Sequence, residues 1–303
     1  MSEAPPPHAL LRPRIALPFL LIAAIWGSTW FVIVGQIDGV PPAWSVAWRF
    51  VLASVGMFAL AFAAGNTLAM PRNAHLLAVV IGFFQFCGNY NLVYQAELHL
   101  TSGIVAVMIG LMIVPNAVLA RIVLGQRITP RFVIGSVIAI AGIALLLINE
   151  AGGARVDGNV GLGIWLAAGA MLAASISNVI QAGNTGRQVP LMTLVAWSML
   201  YGTVIDVLFA AVVAGPPVLP ADGQYWLGTA YLAFAGSVVT FPLYYRLIRE
   251  IGAGRAAYHN VLVVIVAMVI STLFEDYRWT ELAAVGSVLS LVGLLIALRA
   301  KSL

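Results

Sequence analysis

The chain alternates long apolar blocks with short polar joints. Ten blocks stand out, at residues 15–35, 43–64, 74–97, 102–124, 131–149, 160–183, 191–213, 224–249, 254–274 and 281–299. Each is close to the ~20 residues that an α-helix needs to cross the ~30 Å hydrocarbon core of a bilayer. The joints hold Pro41, Pro42, Arg72, Pro130, Pro190, Pro216 and Pro217, and proline ends a helix or stands in a turn. The pattern predicts an all-α integral membrane protein of ten transmembrane helices. Residues 1–14 are Pro-rich and polar and predict a disordered N-terminus. Arg12 and Arg14 precede the first block as in a signal peptide. The apolar run nevertheless continues to about Val34, across Trp26 and Trp30, without a small-residue cleavage site, which makes it a first span.

The blocks repeat. A shift of 151 residues carries Gly103 onto Gly254, Arg127 onto Arg278, Thr129 onto Thr280, Gly135 onto Gly286 and Gly142 onto Gly293. A shift of 149 carries Ser28 onto Ser177, Pro41 onto Pro190 and Trp48 onto Trp197. A fixed internal period means duplication. Residues 15–150 form one five-span unit and 151–303 the other. Five is odd, so the second unit must enter the membrane upside down. Two inverted five-helix repeats are a transporter architecture, with substrate near the midplane between the halves. Small residues at Gly135, Ala139 and Gly142, repeated at Gly286, Ser290 and Gly293, predict close packing of spans five and ten.

Composition agrees. The 303 residues are 62% hydrophobic and 9% charged, far below the ~25% charge of a soluble domain, so most of the surface must face lipid. With the N-terminus in the cytoplasm, inside joints hold twelve Arg or Lys and outside joints only Arg155 and Arg278. The bias places both termini inside and supports the even span count. Nucleic acid is not an expected partner, because the cations are scattered in joints rather than clustered. Cys87 stands alone and the four histidines lack ligand spacing, so neither a disulfide within the chain nor a metal or other cofactor is expected. The run Gly252-Ala253-Gly254-Arg255-Ala256-Ala257 follows a span rather than a strand, so it reads as a tight turn and not a dinucleotide loop. There is no nucleophile elbow, zinc motif or P-loop, and nothing predicts an enzyme.

Several stretches carry a family resemblance. They are Ile25-Trp26-Gly27-Ser28-Thr29-Trp30, Ala47-Trp48-Arg49-Phe50, Tyr94 through Gly103, Leu124-Gly125-Gln126-Arg127-Ile128-Thr129, Ala235-Gly236-Ser237 through Leu247, and Gly252 through Ala256. In this order and spacing the chain resembles EamA-type proteins of the drug/metabolite transporter superfamily. Amino-acid exporters of the YddG type are the nearest branch. The resemblance implies export of small metabolites, amino acids (aromatic or otherwise neutral) foremost, by alternating access in a bacterial inner membrane. The other readings are an exporter of other drugs or metabolites, or a membrane scaffold or receptor without transport. The family often has Glu at the position of Gln126 and Pro at that of Val266, so the substrate subclass stays open. No oligomeric state follows, and a monomer suffices.

Candidate cavity residues are Trp26, Trp30, Gln85, Asn89, Tyr90, Tyr94, Asn178, Tyr244, Tyr258 and His259. Gln85, Asn89, Tyr90 and Tyr94 make i, i+4 pairs on span three, and amides inside a span are costly unless they face a cavity or one another. Trp26 and Trp30 are one turn apart and either face the cavity or pack. Tyr258, His259 and Asn260 point 100° apart, so only part of that triplet can face inward. Asp206 is the one acid well inside a span. It is a proton-coupling or substrate-amine group, or a residue near the outer interface, or one neutralised structurally. Arg49 is the one cation inside a span, and it binds a substrate carboxylate, or snorkels, or binds backbone carbonyls. So little intramembrane positive charge argues against a dianionic phosphate substrate.

Overall fold

The computed structural model describes residues 13–125, 128–153, 158–251, 256, 259–275 and 277–298. Among them there is no strand. Ten helices carry the fold: α1 (Pro13–Ile37), α2 (Pro42–Ala63), α3 (Arg72–Ala96), α4 (Ser102–Leu124), α5 (Pro130–Gly153), α6 (Val160–Gln181), α7 (Leu191–Ala214), α8 (Gly223–Glu250), α9 (His259–Phe274) and α10 (Glu281–Leu298). Helix is the obligatory choice here, because lipid offers no hydrogen-bond partner to a free backbone group. Eight of the ten are long and apolar enough to cross a membrane, and the shorter α9 and α10 are equally apolar. Large apolar side chains such as Phe62, Ile122, Trp165, Val212 and Leu227 stand exposed on the perimeter, as a lipid-facing surface requires. Pro42 and Pro130 open α2 and α5, where a missing N–H costs nothing. Gly125 closes α4 in a left-handed turn, φ 68°. A short helix, Asn184–Gln188, follows α6 where the sequence pattern suggests only a joint.

The contacts follow a pseudo-twofold axis. In α5 and α10, Gly135 sits against Gly293 and Ala297, and their repeat counterparts Gly286, Gly142 and Leu146 make the same contact in reverse. A Cβ on Gly286 would lie 2.7 Å from the Gly142 carbonyl oxygen, and one on Gly293 would lie 2.7 Å from that of Gly135. The predicted seam between spans five and ten is therefore backbone against backbone. The same exchange recurs elsewhere. Trp48 Nε1 donates to Val218 O across the halves at 2.9 Å, and its counterpart Trp197 donates to Leu68 O, also at 2.9 Å.

Two departures from regular helix matter for the site. The first is paired. The third helix of each half contains a π-helical segment, Gly82–Asn89 in α3 and Phe234–Val239 in α8. Such wide turns are rare and free backbone carbonyls for other donors. Asn91 Nδ2 donates to Cys87 O at 3.0 Å, and Thr240 Oγ1, at the equivalent place, to Gly236 O at 2.7 Å. The second departure is unpaired. α4 breaks into Ser102–Gly110 and Ile113–Leu124. Pro115 lacks the N–H that would reach Leu111, and its ring crowds that carbonyl. The copy has Val266 there, and α9 runs unbroken from His259 to Phe274.

Candidate functional site

The α3 π segment and the α4 break meet at one cavity between the halves, and the α8 π segment stands behind it through the Trp26–Gly236 bond. The cavity measures about 80 Å³ and draws its wall from α1 (Trp26, Thr29, Trp30, Ile33), α3 (Gln85, Asn89, Tyr90, Val93), α4 (Ala106, Ile109, Gly110, Met112), α6 (Ala174, Asn178), α8 (Tyr244) and α9 (Asn260, Val263). Seven predicted residues line it: Trp26, Trp30, Gln85, Asn89, Tyr90, Asn178 and Tyr244. The volume is well below the ~300–1,000 Å³ of ordinary ligand pockets and holds a few waters. The cavity is therefore a small one.

The wall is apolar and part aromatic, with neutral polar points and no charged side chain among the described residues. Three of those points are buried without a hydrogen-bond partner among the described residues: Trp30 Nε1, Asn178 Oδ1 and Asn260 Nδ2. Two are donors and one is an acceptor. An unmade bond of this kind costs about 1–3 kcal/mol, so groups left open at a cavity are poised for a polar ligand. Trp26 is anchored by Nε1 to Gly236 O of the α8 π segment at 3.1 Å. Its ring packs edge-on against Phe241 and Tyr244, at 5.5 and 5.1 Å between centroids.

Two candidates stand behind the wall rather than on it. Tyr94 lies one turn beyond Tyr90, and its hydroxyl accepts from Arg49 Nη1 at 3.4 Å. His259 is fully buried beneath Trp26 and Tyr244, with ring centroids 5.1 and 4.8 Å away. Its Nδ1 pairs with Ala256 O at 2.8 Å, which turns the ring away while Asn260 faces the cavity. Tyr258 lies outside the described residues, as do residues 1–12, Gln126, Arg127 and the Gly252–Arg255 turn. Thr29, Met112 and Asn260 are lining residues that the sequence reading did not select. Met112 lines the cavity at the break of α4.

Arg49 and Asp206 each lie against a π segment of the opposite half. Arg49, 1% exposed, reaches Ser237 Oγ in the α8 segment at 3.3 Å, and its guanidinium lies 4.3 Å from the centre of the Tyr90 ring. Tyr90 thus separates it from the cavity. Asp206, wholly buried, accepts from Asn91 Nδ2 at 2.7 Å on the face of α3 turned from the cavity. Neither has an oppositely charged hydrogen-bond partner among the described residues, where the single ion pair is Arg246–Glu250 on the surface. No His, Cys, Asp or Glu cluster there could hold a metal ion.

A larger hollow of about 310 Å³ lies between α4, α9 and α10. Its wall is almost wholly apolar and includes the exposed Ile265, Val269 and Leu273, so it opens toward lipid and offers little to a polar ligand.

The comparisons with known proteins agree with this architecture. A solved crystal structure superposes with a TM-score of 0.66 over 93% of this chain and 95% of its own, at 20% identity, and so shares the fold. Protein PagO of Salmonella typhimurium is 23% identical, over 95% of this chain and 92% of its own. A probable amino-acid metabolite efflux pump of Escherichia coli is 26% identical, over 91% and 92%. A probable terminal-alkyne amino-acid exporter of Streptantibioticus cattleyicolor is 26% identical, over 92% of each chain. The model of the EamA-like transporter family matches twice, at residues 14–148 and 161–299, one match per half. The chain is a multi-pass membrane protein that handles a small molecule, not an enzyme, and it belongs to the EamA-like transporter family.

Proposed function

We propose that the protein exports neutral amino acids by alternating access through the cavity between its halves. One observation carries the reading. Trp30, Asn178 and Asn260 line a cavity with no charged side chain among the described residues, and Trp30 Nε1, Asn178 Oδ1 and Asn260 Nδ2 are buried without a partner there. Two donors and an acceptor suit a small zwitterion or another compact polar metabolite. The similarity to relatives named as amino-acid exporters supports the same class. Arg49 supports it further. It is a buried cation separated from the cavity by the Tyr90 ring, and a turn of that ring would present it to a carboxylate. The small volume supports a cycle in which the cavity closes before it reopens on the other side. The halves at 15–150 and 151–303 would rock on the seam, with α3, α4, α8 and α9 moving. The charge bias of the joints supports cytoplasmic termini.

The test is flux from proteoliposomes loaded with a radiolabelled panel of amino acids. Efflux of neutral members above protein-free liposomes is the expected result. A folded protein that moves no amino acid would sink the substrate class and favour another metabolite or a non-transporting role.

A further inference from the structure

Asp206 is the wholly buried acid of a membrane-spanning helix, and the proposed function does not use it. Its surroundings are specific. α7 crosses α3 at two glycines, where a Cβ on Gly82 would lie 2.6 Å from Ser198 O and 2.8 Å from Gly202 N. One turn beyond Gly202, the carboxyl of Asp206 meets the C-terminal part of the α3 π segment. Oδ1 accepts from Asn91 Nδ2 at 2.7 Å, and the same amide nitrogen donates to Cys87 O at 3.0 Å. Oδ2 is buried without a partner among the described residues. The groups that face the carboxyl are few. From α3 they are Asn91 and the Cys87 thiol, and no cation among the described residues pairs with it. Arg49 is turned toward Ser237 and Tyr94, and His75 pairs with Tyr201 more than a turn away along α7.

A carboxylate with one amide donor, an open oxygen and no countercharge cannot remain ionised there without a cost of several kcal/mol. Protonation removes that cost and leaves the Asn91 bond intact. Loss of the proton favours water entry at Oδ2 and separation of α7 from α3 at this point. The other face of the same π segment carries Gln85 and Asn89, with Tyr90 next in the chain, and all three line the cavity. A wide turn is an element with two packings, since it can tighten to regular helix.

We propose that Asp206 is a proton-binding site that couples proton movement to the cavity through the π segment of α3. The proton is held when the α3–α7 contact is closed, as here, and released when it opens. Substrate and proton then occupy opposite faces of one segment and never touch.

This rests on the transport reading, and two measurements keep them distinguishable. The first uses proteoliposomes with an imposed pH gradient and a labelled neutral amino acid. At one proton per substrate, a gradient of about one pH unit drives an accumulation ratio of about tenfold. Wild type should approach it. Asp206→Asn, a neutral isostere that keeps the acceptor for Asn91, should fall to a ratio near one while exchange at equal concentrations continues within about twofold of wild type. A structural role alone would lower both. Accumulation by Asp206→Asn equal to wild type, or a wild type that transports without responding to the gradient, overturns the proton site and leaves the transporter reading standing. The second measurement needs no substrate. It is made in a Glu97→Gln background, which removes the other buried acid held protonated in this protein. There the infrared carbonyl stretch of a protonated carboxylic acid should be present with Asp206, absent once Asp206→Asn is added, and lost as pH is raised. A band that persists after Asp206→Asn, or never titrates, overturns the proposal even if no transported substrate has been found.

Discussion

Replacing Gly142 with Ala places a methyl group where the seam has no room. Its Cβ would lie 2.5 Å from both Gly286 O and Ser290 Oγ, whereas ordinary contact begins near 3.4 Å. A serine rotamer can relieve one clash, but the carbonyl cannot move alone. The helices must therefore part by roughly 0.9 Å, a gap that forfeits about a quarter to a half of each dispersion contact across it. Overpacking of this kind costs about 1–3 kcal/mol. Gly286→Ala should cost about the same, because its Cβ meets Gly142 O at 2.7 Å from the other side. The double variant is the informative one. Once the helices have parted for one methyl, the second enters space already made. Two single losses of about 2 kcal/mol should combine to about 3 rather than 4. Gly35→Ala is the control, since no atom lies within 4 Å of its Cβ and alanine favours helix. The assay is unfolding of the purified protein in detergent, followed by tryptophan fluorescence. Single losses below about 0.5 kcal/mol, or strict additivity, would refute a seam set by backbone contact.

Three other outcomes are expected. Pro115→Ala restores the missing N–H and should make α4 continuous, raising the unfolding temperature while lowering turnover; unchanged turnover would detach the break from the cycle. Asn178→Leu removes a buried oxygen that lacks a partner, so stability should hold or rise while transport falls at least about tenfold in kcat/KM; equal transport would remove Asn178 from the site. Glu97 caps the end of α3, and burial, reinforced by the nearby Glu275 carboxylate, holds its carboxyl protonated well above the usual carboxylate range. The folded state then binds the extra proton, so this stability is present at acid pH and declines as pH rises above the ordinary carboxylate value. Glu97→Gln should flatten that alkaline decline in unfolding midpoints measured across pH and leave the acid end unchanged; an unaltered profile would refute the assignment.

Much of the fold is legible in the sequence because lipid leaves the backbone few options. Apolar runs of spanning length have to be helices, and repeated Gly, Ser, Thr and Arg in one register reveal the duplication. The small-residue stripe announces the seam for the same reason, since only small residues such as Gly, Ala and Ser admit backbone contact. The cavity is legible in part. Amides such as Gln85, Asn89 and Asn178 stand out because lipid penalises them wherever they are not enclosed. The sequence is silent on which of His259 and Asn260 turns inward, a matter settled by the bond from the His259 ring to Ala256 O. It also says little about the π segments. Gly88 and Gly236 lie within them, but an extra residue in a helical turn leaves no periodic trace over so short a stretch. Met112 lies in the interruption of α4 between Gly110 and Ile113, which Pro115 produces one turn further on, and helical periodicity does not assign a face to a residue at such a break.

The α5–α10 seam has a further meaning. Its contacts are reciprocal: residue pairs 135–293 and 142–290 recur as 286–142 and 293–139. Reciprocity is the signature of an isologous interface, the kind two identical chains form around a twofold axis. Either half therefore still carries a surface complementary to itself. The peptide link between α5 and α6 keeps the two halves near each other. Cut there, the transporter should reassemble from its two pieces, and a half expressed alone has a face on which to find its own inverted copy, as a half-length ancestor would have had to do before the two were joined.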